Sequence, residues 1–91
     1  MRTIRVIISG RVQGVGYRAW TVATANKLNI KGWVRNLSDG TVEALFSGAD
    51  PSVSAMFEAC KKGPPASHVD RIETFTSEIV EDGPFVARPT V

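Results

Sequence analysis

The 91-residue chain has one cysteine, Cys60, and one histidine, His68. One cysteine cannot close an internal disulfide, and this pair cannot supply the thiolates and imidazoles of a zinc site. A reducing, cytoplasmic setting is therefore expected. No apolar run approaches the roughly 20 residues of a spanning helix, and none is long enough for a signal-peptide core. Charge of either sign is in small excess: the net value is +2, the cations are scattered, and the longest basic run is Lys61-Lys62. That excludes the basic footprint of a nucleic-acid or membrane binder and leaves a small anion as the better partner. What remains, 43% hydrophobic and 22% charged residues, is the composition of a soluble globular chain. Its length implies one domain, residues 1–91, expected as a monomer.

Periodicity supplies the elements. Ile4, Val6 and Ile8 alternate within Thr3 to Ser9, a strand with Ile7 on its outer face. A loop with three glycines follows, Gly10 to Gly16. Tyr17, Thr21, Thr24, Ala25 and Leu28 then share one helical face. Asn29 suits a left-handed helix stop, with Ile30 packing back. Gly32–Leu37 and Thr41–Ser47 read as strands joined by the hairpin signal Ser38-Asp39-Gly40. Asp50-Pro51 reads as an N-cap followed by proline at the first helical position. Val53, Met56, Phe57 and Cys60 form that helix's apolar stripe, and Gly63-Pro64-Pro65 ends it. Val69–Glu78 is a fourth strand whose imperfect alternation suggests a bulge, and Phe85–Arg88 a short fifth. The order β-α-β-β-α-β is the split βαβ arrangement of a ferredoxin-like α/β sandwich: an α+β fold with an antiparallel sheet and two helices on one face. That fold hosts many functions, so function must come from a site.

The loop Gly10-Arg11-Val12-Gln13-Gly14-Val15-Gly16-Tyr17-Arg18 joins a strand to a helix. Glycines admit turns that other residues resist and let an anion approach the backbone. Free N–H groups at the helix start, at the positive end of its dipole, make such a turn a phosphate cradle. Arg18, in the first helical turn, adds a planar fork that grips two phosphate oxygens and keeps its charge. Taken alone, such a loop is often only a tight connection, and such an arginine a solvated one. The spacing is neither that of a Walker loop, which ends in Gly-Lys-Ser/Thr, nor that of a dinucleotide fingerprint.

Asn36, near the end of a strand, has an acceptor and two donors with which to fix a water molecule. In isolation an asparagine there is more often a turn residue. Arg35 falls on the opposite sheet face. His68 reads as a surface residue, Cys60 as core, Trp20 and Trp33 as packing, and Glu78, Glu81 and Asp82 as a solvated turn.

Gly-Arg-Val-Gln-Gly-Val-Gly-Tyr-Arg, followed by Gly-Trp-Val-Arg-Asn and Asp-Gly-Thr-Val-Glu, resembles the acylphosphatase family over nearly the whole chain. Thr21, Ala25, Leu28, Gly48 and Gly63-Pro64 fit the same pattern. The chain differs in having Tyr17 where the family commonly has Phe, so a buried hydroxyl needs a partner. Asn29 stands where Gly is common, and the tail from Pro84 to Val91 fits less closely. The resemblance implies the ferredoxin-like fold and hydrolysis of acylphosphates without metal or other cofactor. It implies that Gln13, Gly14, Val15, Gly16, Tyr17 and Arg18 bind the phosphate, that Arg18 is its anchor, and that Asn36 positions the water. The expected partners are a small acylphosphate and inorganic phosphate, the latter as product and inhibitor, with no nucleic acid and no membrane.

Two other readings compete. An RNA-binding sheet of this fold would expose aromatics on its central strands, where the first strand here has Ile and Val. A domain acting on carbamoyl phosphate within a larger pathway is the other, and a chain that stands alone at this length is expected to argue against it.

Overall fold

The computed structural model describes residues 1–79 and 82–91. In chain order the elements are β1 (Arg2–Arg11), α1 (Tyr17–Lys27), β2 (Lys31–Asn36), β3 (Val42–Gly48), α2 (Asp50–Lys62), β4 (His68–Thr76) and β5 (Val86–Ala87). The strands form one sheet in the order β4-β1-β3-β2-β5. Alternation on the strands sends Ile4, Val6, Ile8, Val34, Ala44 and Phe46 to one face. There they meet Tyr17, Thr21 and Ala25 of α1 and Val53, Met56 and Cys60 of α2, all buried. Two helices thus cover one face, as the ferredoxin-like reading expected. Ile7 lies on the other face and is half-buried.

Two local expectations are met in detail. Asn29 takes the left-handed conformation, φ 58°. The Ile30 N–H reaches back to the Ala25 carbonyl at 2.8 Å and the Asn29 N–H to that of Asn26 at 3.2 Å, so these two carbonyls near the end of α1 are satisfied. The bulge lies on β4: Ser9 pairs with Arg71 and Gly10 with Val69, which leaves Asp70 as the extra residue.

Two others are corrected. Asp50 is not the N-cap of α2. Ala49 takes that place in extended geometry with no side-chain cap, and Asp50 and Pro51 open the helix itself. The Asp50 carboxylate still lies in the first turn, where the helix dipole favours it.

The second correction concerns the sheet, which is antiparallel except at one edge. Between β4, β1, β3 and β2 every pairing is antiparallel, whereas β5 runs parallel to β2. The chain leaves β4 on one side of the sheet and comes back on the other, and Phe85 decides how it arrives. Phe85 is fully buried and stacks on Phe46 with 5.6 Å between ring centroids. The Asn26 side chain at the end of α1 accepts the Phe85 N–H at 3.1 Å and donates to its carbonyl at 3.3 Å. Gly32, beside Phe85, lies at φ 133°, where a Cβ would collide with the Leu45 carbonyl of β3 but only touch the Phe85 ring.

Candidate active site

The loop after β1 turns at Gly14 (φ 73°) and Gly16 (φ 79°), both left-handed, a region open to glycine without strain. Gly16 is also the N-cap of α1 and brings no side chain to bond the helix's first N–H groups. Gly16 does accept the Trp20 N–H at 3.0 Å. Among the described residues, the backbone N–H groups of Gly14 to Ala19 meet no acceptor. Unsatisfied donors at the positive end of a helix form an anion site.

Tyr17 roots this loop. Its ring is buried, and its hydroxyl donates to the Cys60 carbonyl on α2 at 2.7 Å. The partner that a tyrosine here requires is therefore in the core, not in the site. Burial, with the Cys60 thiol beside it, holds the phenol well above its ordinary pKa. With Tyr17 locked inward, the next residue, Arg18, is half-buried along the cavity that the loop encloses. No carboxylate among the described residues lies within ion-pair distance of its guanidinium.

Asn36 is the last residue of β2 and pairs with Val42 across the hairpin. The hairpin is tightly closed. The Leu37 N–H donates to the Thr41 carbonyl at 2.9 Å, and Asp39 Oδ1 accepts from the Thr41 N–H and hydroxyl at 3.0 and 2.6 Å. Those bonds hold the Asp39 carboxyl below its usual pKa. From the other side the Val91 N–H reaches the Asn36 carbonyl at 3.3 Å. Asn36 Oδ1 is buried and has no hydrogen-bond partner among the described residues. A buried acceptor without a donor costs stability, about 1–3 kcal/mol, and such an atom calls for a function.

Arg18, Asn36, Gly14 and Gly16 line a single cavity of about 320 Å³, together with Val12 and Ala87. A second hollow of similar volume lies at the other end of β1, where Arg2 shares the lining with the Glu58 carboxylate, Ser54, Thr74 and apolar residues.

The structure thus brings together Gly14, Gly16, Tyr17, Arg18 and Asn36. Gln13 is not among the residues lining the cavity; its side-chain amide donates to the Leu37 and Thr41 carbonyls at 2.8 Å each. Ala87 went unnoticed in the sequence, where nothing in a short C-terminal run links it to a loop some 70 positions earlier; the parallel pairing of β5 is what carries it there.

The remaining candidates fall where the sequence placed them. Cys60 is in the core, its thiol pushed up to about 12 by burial. His68 is exposed beside Asp70. Arg35 lies on the open face, paired with Glu43. Glu78 and Asp82 are exposed, and Glu81 lies outside the described residues. No helix among the described residues is long and apolar enough to cross a membrane.

Comparisons of sequence and of structure agree on a family. The acylphosphatase family model matches residues 4–86. An acylphosphatase of Rhodospirillum rubrum is 48% identical over the full length of both chains. One from Acidiphilium cryptum is 51% identical over 93% of each. The crystal structure of acylphosphatase from Bacillus subtilis superposes with a TM-score of 0.92 at 38% identity, covering 97% of this chain and 99% of that one. The glycine loop, the arginine that follows it and the asparagine at the hairpin thus sit in a chain that, over nearly all its length, belongs to the acylphosphatase family.

Proposed function

We propose that this chain hydrolyses the carboxyl–phosphate bond of acylphosphates, with Arg18 and the loop N–H groups holding the phosphoryl group and Asn36 holding the attacking water. Two observations support the division of labour: Asn36 Oδ1 is buried without a donor among the described residues, and Asn36 lines the cavity that Arg18 also lines. An acceptor in that place suits a water O–H, whereas phosphate oxygens seek the donors opposite.

An acylphosphate already has a good carboxylate leaving group, so the site needs positioning and charge stabilisation more than acid–base machinery. The phosphoryl oxygens take the N–H groups of Gly14 to Ala19 and the Arg18 fork, which face no competing anion. The water, fixed through Asn36, attacks phosphorus in line. The phosphorus–oxygen bond to the acyl group breaks, the carboxylate departs with the electron pair, and a phosphoryl oxygen takes the water's proton. The cavity is larger than a phosphate group needs, and its open side leaves space for the acyl part. All of these groups come from one chain, which suits a monomer, and a single buried thiol suits a reducing cytoplasm.

The test is hydrolysis of benzoyl phosphate, with and without chelator, by the wild type, Arg18→Ala and Asn36→Ala, with inorganic phosphate as inhibitor. Phosphate should compete with substrate, and chelator should change nothing. Arg18→Ala should lose on the order of a hundredfold or more in rate together with phosphate affinity. Asn36→Ala should lose most of kcat and keep the phosphate inhibition constant. An Arg18→Ala enzyme with near-native kcat/KM refutes the site. Parallel loss of both quantities in Asn36→Ala refutes the separation of roles.

A further inference from the structure

The phosphate loop and the hairpin bearing Asn36 belong to different elements, separated in sequence by the whole of α1, yet both must face one substrate. One side chain joins them. Gln13 Nε2 lies 2.8 Å from the Leu37 carbonyl and 2.8 Å from the Thr41 carbonyl. Both neighbours are acceptors, so the amide must present its nitrogen, and its two hydrogens are both used. Leu37 and Thr41 are also the residues whose own hydrogen bond closes the hairpin beyond Asn36. Gln13 therefore grips the closing pair of the turn, one residue past Asn36, from the position just before Gly14.

We propose that Gln13 is a positioning residue of the hydrolysis: its amide clamps the hairpin to the phosphate loop and so sets the place of the Asn36-held water relative to the phosphoryl group. This rests on the roles given above to Arg18 and Asn36. Gln13 contributes no side-chain donor to the phosphate, because both are committed elsewhere. The clamp is a two-point contact, so it fixes the tilt of the hairpin as well as its distance. In-line attack is sensitive to both, and a misplacement of about 1 Å can cost about a hundredfold in rate.

The experiment uses Gln13→Met, which keeps length without donors, and Gln13→Glu, which keeps shape and turns a carboxyl toward two carbonyls. Gln13→Met should lower kcat on benzoyl phosphate by about tenfold to a hundredfold, within the range set by small misplacements, and leave the inhibition constant of inorganic phosphate nearly unchanged. In an Asn36→Ala background the same substitution should add little, because the residue it acts through is already gone. Gln13→Glu should be poor at neutral pH, where its ionised oxygens repel the carbonyls. Relative to wild type it should recover as pH falls toward 5, because the protonated carboxyl can donate one bond.

A Gln13→Met enzyme with native kcat overturns the proposal, and so does a full multiplicative loss in the Asn36→Ala background. If Gln13→Met does not fold, Gln13→Glu decides: a constant ratio of its kcat to that of wild type between about pH 8 and 5 overturns the proposal. The underlying reading fails separately, through an active Arg18→Ala or Asn36→Ala enzyme.

Discussion

Two regions of this small molecule are built around arginine, and they use it in opposite ways. On the sheet's open face, Glu43 lies between Arg5 and Arg35, 2.9 Å from one guanidinium and 2.7 Å from the other. Arg5 also covers the ring of Phe75, and Arg35 and Arg88 cover that of Trp33. Arg5 and Arg35 are there paired with Glu43 and spread over apolar surface, which is structural work. At the other region, among the described residues, Arg18 has no carboxylate within ion-pair distance, the loop N–H groups have no acceptor, and Asn36 Oδ1 has no donor. A surface that satisfies its own polar groups has nothing left to offer a ligand. A site leaves some of them unsatisfied and relies on the rest of the fold to hold them so.

The largest expected contrast comes from the same substitution in both regions. Arg18→Lys keeps the charge and removes the fork, so it should leave only a small part of the activity on benzoyl phosphate. Arg35→Lys should leave kcat/KM essentially intact and cost less than about 1 kcal/mol, since its partner remains and the pair is partly solvated. Equal losses of activity would erase the distinction between the two regions.

A smaller effect, on stability alone, should follow Glu43→Ala. The carboxylate is nearly buried, and removing it leaves two guanidinium groups facing each other. Because Arg5 and Arg35 are partly exposed, solvent moderates the cost to about 1–2 kcal/mol. The chain should melt several degrees lower and keep its kcat. A fall in kcat with an unchanged melting temperature would give the open face a part in the reaction.

The effect that is smallest at neutral pH lies beneath the site. Burial lifts the Cys60 thiol from its ordinary 9.0 to about 12, and lifts the Tyr17 phenol as well. The folded chain keeps protons that the unfolded chain releases. Stability is therefore full below pH 9.0 and falls as pH rises toward about 12. Denaturant midpoints measured from pH 7 to 11 should decline over the alkaline half of that range. Cys60→Ala, though weaker at neutral pH because of the cavity it leaves, should show a shallower decline. An unchanged slope would assign the alkaline loss elsewhere.

Local rules made much of this protein legible before folding was considered. The glycine-rich turn ahead of Arg18, the asparagine stop at Asn29, the Ser38-Asp39-Gly40 hairpin and the alternation of β1 each depend on a few neighbouring residues, and each is found where the pattern put it. The two motifs, taken together, also identified the family. Boundaries were less secure. Asp50 has the chemistry of an N-cap, but the chain enters the helix one residue earlier, because the extended geometry at Ala49 already follows from the end of β3.

Other features depended on contacts between residues far apart in the chain, and no window of sequence contains them. The direction of β5 is set by Phe85 filling the space beside Phe46 and by Asn26 holding its backbone. Ala87 reaches the cavity only because of that pairing. Gln13 looks like one more member of a phosphate loop until Leu37 and Thr41 are seen to take both of its hydrogens. Sequence by itself determined which residues could bind an anion and hold a water, since that follows from side-chain and backbone chemistry. Tertiary structure alone decided which polar groups are left unsatisfied and at what distance they face each other, since satisfaction is a property of pairs that only the packed chain brings together.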